Sequence, residues 1–133
     1  LVNKWKVFVS KADGAAGQIG NPIPARIIGK AEIGSPYMIC TETFLAIGPF
    51  DNELTAKNVC IYMKSKFFRF IVGIRKNKNM TRDTYAFVPL QDFTEKSDID
   101  WSKSVAEIEQ LYKKYNLSDE EIAFIESMIK PME

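Results

Sequence analysis

Between Lys64 and Arg82 the chain carries seven cations, Lys64, Lys66, Arg69, Arg75, Lys76, Lys78 and Arg82, and no acid. Cations gathered on one rigid face neutralise phosphates, and each contact adds to a salt-dependent affinity for nucleic acid. At about 100° per residue, Lys66, Arg69, Gly73 and Lys76 fall within about 80° of one another on a helix. Phe67, Phe70, Ile71 and Ile74 fall on its other side. Gly73 would let a phosphodiester approach the helix backbone closely. An ordinary amphipathic helix with a solvated polar face gives the same pattern. The phenylalanines, at helical spacing, read as core rather than as base-stacking surfaces.

A second group of polar residues could contact base edges. Ser10-Lys11 opens a small, polar loop after the first apolar stretch, adding one further cation. Thr41-Glu42-Thr43 alternates as strand residues do, so Thr41 and Thr43 share one face and Glu42 takes the other. A glutamate accepts from a cytosine amino group, and hydroxyls serve any base. Read blandly, these are surface-turn and solvent-facing strand residues.

Catalytic chemistry finds little support. The chain has no histidine, which excludes Ser-His and Cys-His nucleophile pairs and histidine-containing metal sites within it. Asn21-Pro22-Ile23-Pro24 lacks the consecutive prolines and aromatic residue that hold a target adenine in methylases. Gly14, Gly17 and Gly20 do not stand in a strand–glycine–helix context. No acidic residue has a lysine two places later, as a metal-dependent nuclease commonly requires. These 133 residues are therefore expected to be non-catalytic, with no cofactor and no metal.

Charge is unevenly placed although the net is +1. Residues 1–91 hold 13 cations against 6 acids, a balance of +7, whereas residues 92–133 hold 5 against 11, a balance of −6. A basic body with an acidic tail suggests two surfaces with different partners. No stretch of about 18 apolar residues or more is present, so no membrane helix is expected. Cys40 and Cys60 lie in apolar company and are expected to be buried thiols of a reducing, cytoplasmic setting. The leading Leu1 suggests a piece of a longer chain.

The elements that must position these residues follow from pattern. Residues 4–9 read as a strand, 25–30 as a short strand and 39–47 as the strongest strand, stopped by Gly48-Pro49. Gly34-Ser35-Pro36 reads as a turn. Asp51 or Asn52 caps a helix from Glu53, and a second helical stretch over 65–76 follows, with or without a kink at Lys64-Ser65. Residues 84–88 read as a strand ended by Pro89. Ser104 with Glu107 and Ser118 with Glu121 are two capping boxes, predicting a helical hairpin in the tail. The expected fold class is α/β or α+β: a small mixed sheet packed with helices over 1–92, then a helical hairpin within 93–133 in the same compact unit.

The order of several blocks is specific. Ile28-Gly29-Lys30-Ala31-Glu32-Ile33-Gly34-Ser35-Pro36 leads into Ile39-Cys40-Thr41-Glu42-Thr43-Phe44-Leu45 and Ile47-Gly48-Pro49-Phe50. Tyr62-Met63-Lys64-Ser65-Lys66-Phe67-Phe68-Arg69-Phe70, Ile74-Arg75-Lys76, Phe87-Val88-Pro89-Leu90-Gln91-Asp92-Phe93 and Tyr112-Lys113-Lys114-Tyr115 follow, then Leu117-Ser118-Asp119-Glu120-Glu121-Ile122. This string resembles the C-terminal target-recognition region of bacterial type II restriction–modification enzymes that contain an adenine-specific DNA methylase domain. The resemblance covers nearly the whole chain, although 95–101 is longer and more acidic than the family pattern. It implies a module that contacts double-stranded DNA and gives specificity to methylase or nuclease domains elsewhere in the parent chain. S-adenosylmethionine and magnesium would belong to those domains. The alternative is an interaction or structural module that docks the catalytic domains or a second subunit.

Overall fold

The computed structural model describes residues 3–10, 17–20, 22–41, 43–75, 88–104 and 110–132. Among them a three-stranded antiparallel sheet and four helices form an α+β mixed fold. The central strand, β1 (Trp5–Ser10), alternates sides, and it buries Val7 and Val9 completely. It is flanked by β2 (Glu32–Gly34) and β3 (Phe44–Phe50) in the order β2-β1-β3. Val7 is opposite Ile33 on one side and Ile47 on the other, so one apolar row crosses the sheet. Gly34 sits where a Cβ would meet the Phe8 ring at 2.6 Å, so only glycine lets that ring lie across the strand.

Helix α1 (Glu53–Lys64) starts at Asn52, whose side chain accepts a 2.9 Å bond from the Thr55 N–H. Its Ala56, Val59, Cys60 and Met63 recur at helical spacing and are buried, and the helix packs across all three strands. Ser65 then breaks the chain. Its hydroxyl donates to the Tyr62 carbonyl at 2.6 Å and accepts from the Phe68 N–H at 3.2 Å, ending α1 and capping α2 (Lys66–Arg75).

In the tail, α3 (Gln110–Lys114) and α4 (Asp119–Met128) follow. The expected capping box is present at α4: Glu121 N–H donates to Ser118 Oγ, and Ser118 N–H donates to Glu121 Oε1 at 2.8 Å. Glu107, needed for the other box, lies outside the described residues. The tail is not an appendage. Ala25 N–H donates to the Met128 carbonyl and Lys130 N–H to the Ala25 carbonyl, each at 2.9 Å. Trp101 donates its indole N–H to the Asp92 carbonyl at 3.0 Å and packs with Tyr62 and Phe93.

Two strand expectations need correction. Residues 25–30 form no strand, apart from one parallel bridge between Ala25 and Ile129. Ile27 has a φ of 73°, and Ile28 N–H donates to the Arg26 carbonyl, so the chain makes a tight turn there. The strongest strand begins at Phe44 rather than Ile39 and runs through Gly48-Pro49 to Phe50. Pro36 initiates a turn that leaves 37–41 outside the ladder. The expected strand 84–88 lies outside the described residues except for Val88, which is in no strand.

Gly48 has a φ of 148°, and a Cβ there would stand 3.2 Å from the Trp5 carbonyl oxygen. Replacing it with alanine is expected to lower stability by about 1–3 kcal/mol, read as a shift in the urea unfolding midpoint.

Candidate nucleic-acid interface

The Arg69 side of α2 does not face solvent as expected, whereas Phe67 and Phe68 are buried core residues, as expected. Arg69, placed on the solvent face by helical spacing, is fully buried. Its Nε donates to the Lys64 carbonyl at 3.0 Å and its Nη1 to the Arg26 carbonyl at 3.3 Å. Nη2 is buried without a hydrogen-bond partner among the described residues. Burial, with the nearby Arg26 charge adding to it, pushes the guanidinium pKa down to about 10. Gly73 faces the same way: a Cβ there would meet Ile19 at 2.9 Å and Ile27 at 3.2 Å. It makes room for the 19–27 loop, not for a phosphodiester.

Lys66 is also engaged. Its Nζ lies 3.4 Å from Glu126 of α4, whose other carboxylate oxygen accepts from the Tyr112 hydroxyl at 2.8 Å. Lys64 is half-buried. The Arg75 side chain, Lys11, Lys76, Lys78, Arg82 and Glu42 lie outside the described residues. A single cationic stripe along α2 is therefore not what the described residues form.

The apolar side of α2 faces an open groove instead. Phe67, Phe70 and Ile71 line it with Tyr115, Leu117, Phe124 and Ile125 of the tail, enclosing about 600 Å³. Tyr115 stacks on Phe67 with ring centroids 5.1 Å apart, and Phe124 meets Phe70 edge-on at 5.9 Å. Ile74 and Phe124 remain exposed.

Two of the three hydroxyl residues come together, and the third lies at the same end of the sheet. Strand register sets Ser10 opposite Phe44, directly after Thr43. Thr41 and Thr43 join their hydroxyls at 2.7 Å, and Phe44 N–H donates to the Thr41 carbonyl at 3.1 Å. Thr41 and Thr43 are exposed, and Ser10 is half-exposed, all at one end of the sheet. A hydroxyl both donates and accepts, so this end can address base edges or phosphate oxygens.

The same loop shows residues that sequence reasoning missed. Tyr37, Met38 and Ile39 are 75%, 46% and 78% exposed. Of these only Ile39 stands in the expected strand, because it is apolar and precedes β-branched residues. Pro36, at the second position of a turn, was the signal that they leave the ladder. Cys40 is exposed beside them, which corrects the expectation of two buried thiols; Cys60 is buried, as expected.

The chain matches no family model, no curated protein and no solved structure. Among the described residues no group of histidine, cysteine and carboxylate side chains could hold a metal. No helix there is long and apolar enough to cross a membrane.

Replacing Arg69 with alanine is expected to cost about 3 kcal/mol or more in denaturant unfolding, from a cavity and the loss of two hydrogen bonds to carbonyls. Lys66→Ala should cost less than about 1 kcal/mol, because its ion pair is partly solvated. Cys60 is buried and its thiol is pushed up to about 11 by desolvation. In the native protein a thiol reagent should label Cys40 within minutes and Cys60 only after unfolding, which mass spectrometry would read as one adduct becoming two.

Proposed function

We propose that this chain is a non-catalytic DNA-recognition module of a larger restriction–modification enzyme. Specificity contacts come from the Ser10, Thr41 and Thr43 end of the sheet. The observation that carries this reading is the joined, solvent-exposed hydroxyls of Thr41 and Thr43, at the end of the sheet where Ser10 lies opposite Phe44. The +7 balance of residues 1–91 supports it, since phosphate attraction is the bulk of non-specific DNA affinity. The family resemblance supports it as well. Arg69 is withdrawn from the contact set, and Lys66 is a weak member of it. Lys11, Lys64, Arg75, Lys76, Lys78 and Arg82 remain the proposed phosphate contacts. S-adenosylmethionine and magnesium would serve the parent's catalytic domains, which are the other proposed partners.

The apolar groove between α2 and α4 favours a second reading, a module that docks the catalytic domains of the parent. Its exposed Phe124 is the discriminating residue. Phe124→Asp should abolish association with a separately supplied methylase domain while leaving DNA affinity unchanged.

Binding of a double-stranded DNA pool by the 133-residue chain, measured by fluorescence anisotropy, tests the first reading. Micromolar binding at low salt is expected, weakening as salt rises with a slope set by the phosphates neutralised. Thr41→Val with Thr43→Val should change which sequences are enriched from the pool and leave the salt slope alone. DNA should also protect Cys40 from thiol labelling. Absence of binding at the lowest usable salt would falsify the reading.

A further inference from the structure

The groove between α2 and α4 is apolar within and acidic at its rim. Phe67, Phe70 and Ile71 line one side, and Leu117 and Phe124 the other. Phe124 is 48% exposed, and Ile74, one turn beyond Phe70, is 62% exposed. Leu90 stands almost wholly in solvent next to Pro89 of the groove wall. A contiguous strip of large apolar side chains marks a surface that a partner covers. The charged groups lining the groove are both acids, Glu120 and Glu121, and no cation lines it. Glu121 is held by Ser118 in the capping box. Glu120 is exposed and has no ion-pair partner among the described residues.

The helix that supplies this rim already shows what its charge selects. α4 carries four acids and no cation, whereas α2 carries three cations and no acid. Glu126 draws the Lys66 ammonium to 3.4 Å, so a basic helix lies against one side of α4. A second basic helix on the open side would repeat that arrangement around Glu120. Both helices have ten residues, about 15 Å of length, which matches about three turns of a third helix seated between them.

We propose that the groove receives an amphipathic helix of a partner protein, apolar on the seated face and bearing lysine or arginine beside Glu120. This deepens the docking reading and rests on it for the identity of the partner. In helix-in-groove recognition, apolar residues at i, i+3, i+4 and i+7 fill the groove, and rim charges choose the partner. The acidic rim repels a polyanion and an anionic lipid surface alike. A second copy seated here by a two-fold axis would lay one acidic α4 against another.

The test uses the whole chain and fluorescein-labelled synthetic peptides of about four helical turns, read by anisotropy. One peptide has leucine at i, i+3, i+4 and i+7 with lysine at the flanking positions. A second has glutamate in place of the lysines, and a third keeps the lysines and disperses the leucines. The first should bind with a micromolar Kd, and the others about tenfold more weakly or worse. Phe124→Ser should weaken the first peptide about tenfold, and Glu120→Lys about fivefold at low salt. Both residues are exposed, so both variants should unfold at the wild-type temperature. Ile39→Ser, at another exposed apolar site, should bind like the wild-type chain. The proposal is overturned if the glutamate peptide binds as tightly as the lysine peptide. It is also overturned if Phe124→Ser and Glu120→Lys change nothing, or if Ile39→Ser weakens binding as much as Phe124→Ser. A dimer in sedimentation that Phe124→Ser dissolves would make a second copy the occupant and overturn it too. If no peptide binds while Phe124→Asp still abolishes association with the methylase domain, the basic helix is wrong and the docking reading stands. If the lysine peptide binds as expected but the methylase domain does not associate, the groove takes its basic helix from another protein and the docking reading falls.

Discussion

A fully buried guanidinium ties together the three segments on which this molecule depends. Arg69 reaches back to the last turn of α1 and across to the Arg26 carbonyl. That second carbonyl also accepts from Ile28 N–H, inside the turn that holds Ile27 at a positive φ. A β-branched residue in that region is costly and persists only when its surroundings over-determine it. Arg69 and the close approach allowed by Gly73 supply that constraint. The turn in turn carries Ala25, which pairs with residues 128–130 and closes the tail onto the body. A buried charge without a carboxylate beside it is a poor source of net stability. Its value here is geometric: one planar group with donors on several sides fixes chain segments that no strand ladder holds.

That constraint explains why the Arg69 side of α2 is not its solvent face. Once the Arg69–Gly73 side faces Ile19 and Ile27, Phe70 and Ile71 look toward α4 and stay partly uncovered, while Phe67 is buried under Tyr115. The acidic tail also draws Lys66 away through Glu126. Phosphate attraction, if α2 had been its source, would have been spent inside the molecule. The far end of the sheet is arranged differently. There a strained turn, two exposed threonines and an exposed thiol occupy one short loop.

The polar network of the tail shows how firmly that body is closed. Lys114 donates to Gln91 at 2.8 Å and pairs with Asp98 at 3.0 Å, while Gln91 donates to the Tyr115 hydroxyl at 2.6 Å. Tyr62 donates to the Pro89 carbonyl at 2.8 Å. These bonds link α1, the 88–98 segment and α3. They account for the acidic 95–101 stretch: Asp98 answers Lys114, and Asp100 caps its own turn through Ser102.

Local signals were legible wherever a cap or a period acts within a few residues. Asn52 and the Ser118–Glu121 box mark helix boundaries, because their partners are three residues away at most. Val7 and Val9 of β1 follow from alternation. Long-range choices were not legible. The side of α2 that faces the core depends on which segment packs against it, and helical spacing is blind to that when one face carries Arg69 and the other three aromatic or branched residues. Likewise, Tyr37 to Cys40 are apolar enough for a strand, but strand formation needs a neighbour to accept their hydrogen bonds, and the turn at Pro36 takes them out of register. The amino-acid sequence by itself determined the helix ends, the central strand and the absence of histidine chemistry, since each depends on residue type or near neighbours. Only the tertiary structure decided that Arg69 is buried, that Ser10 lies opposite Phe44 and that Tyr37 and Ile39 face outward, since each depends on what distant segments leave uncovered.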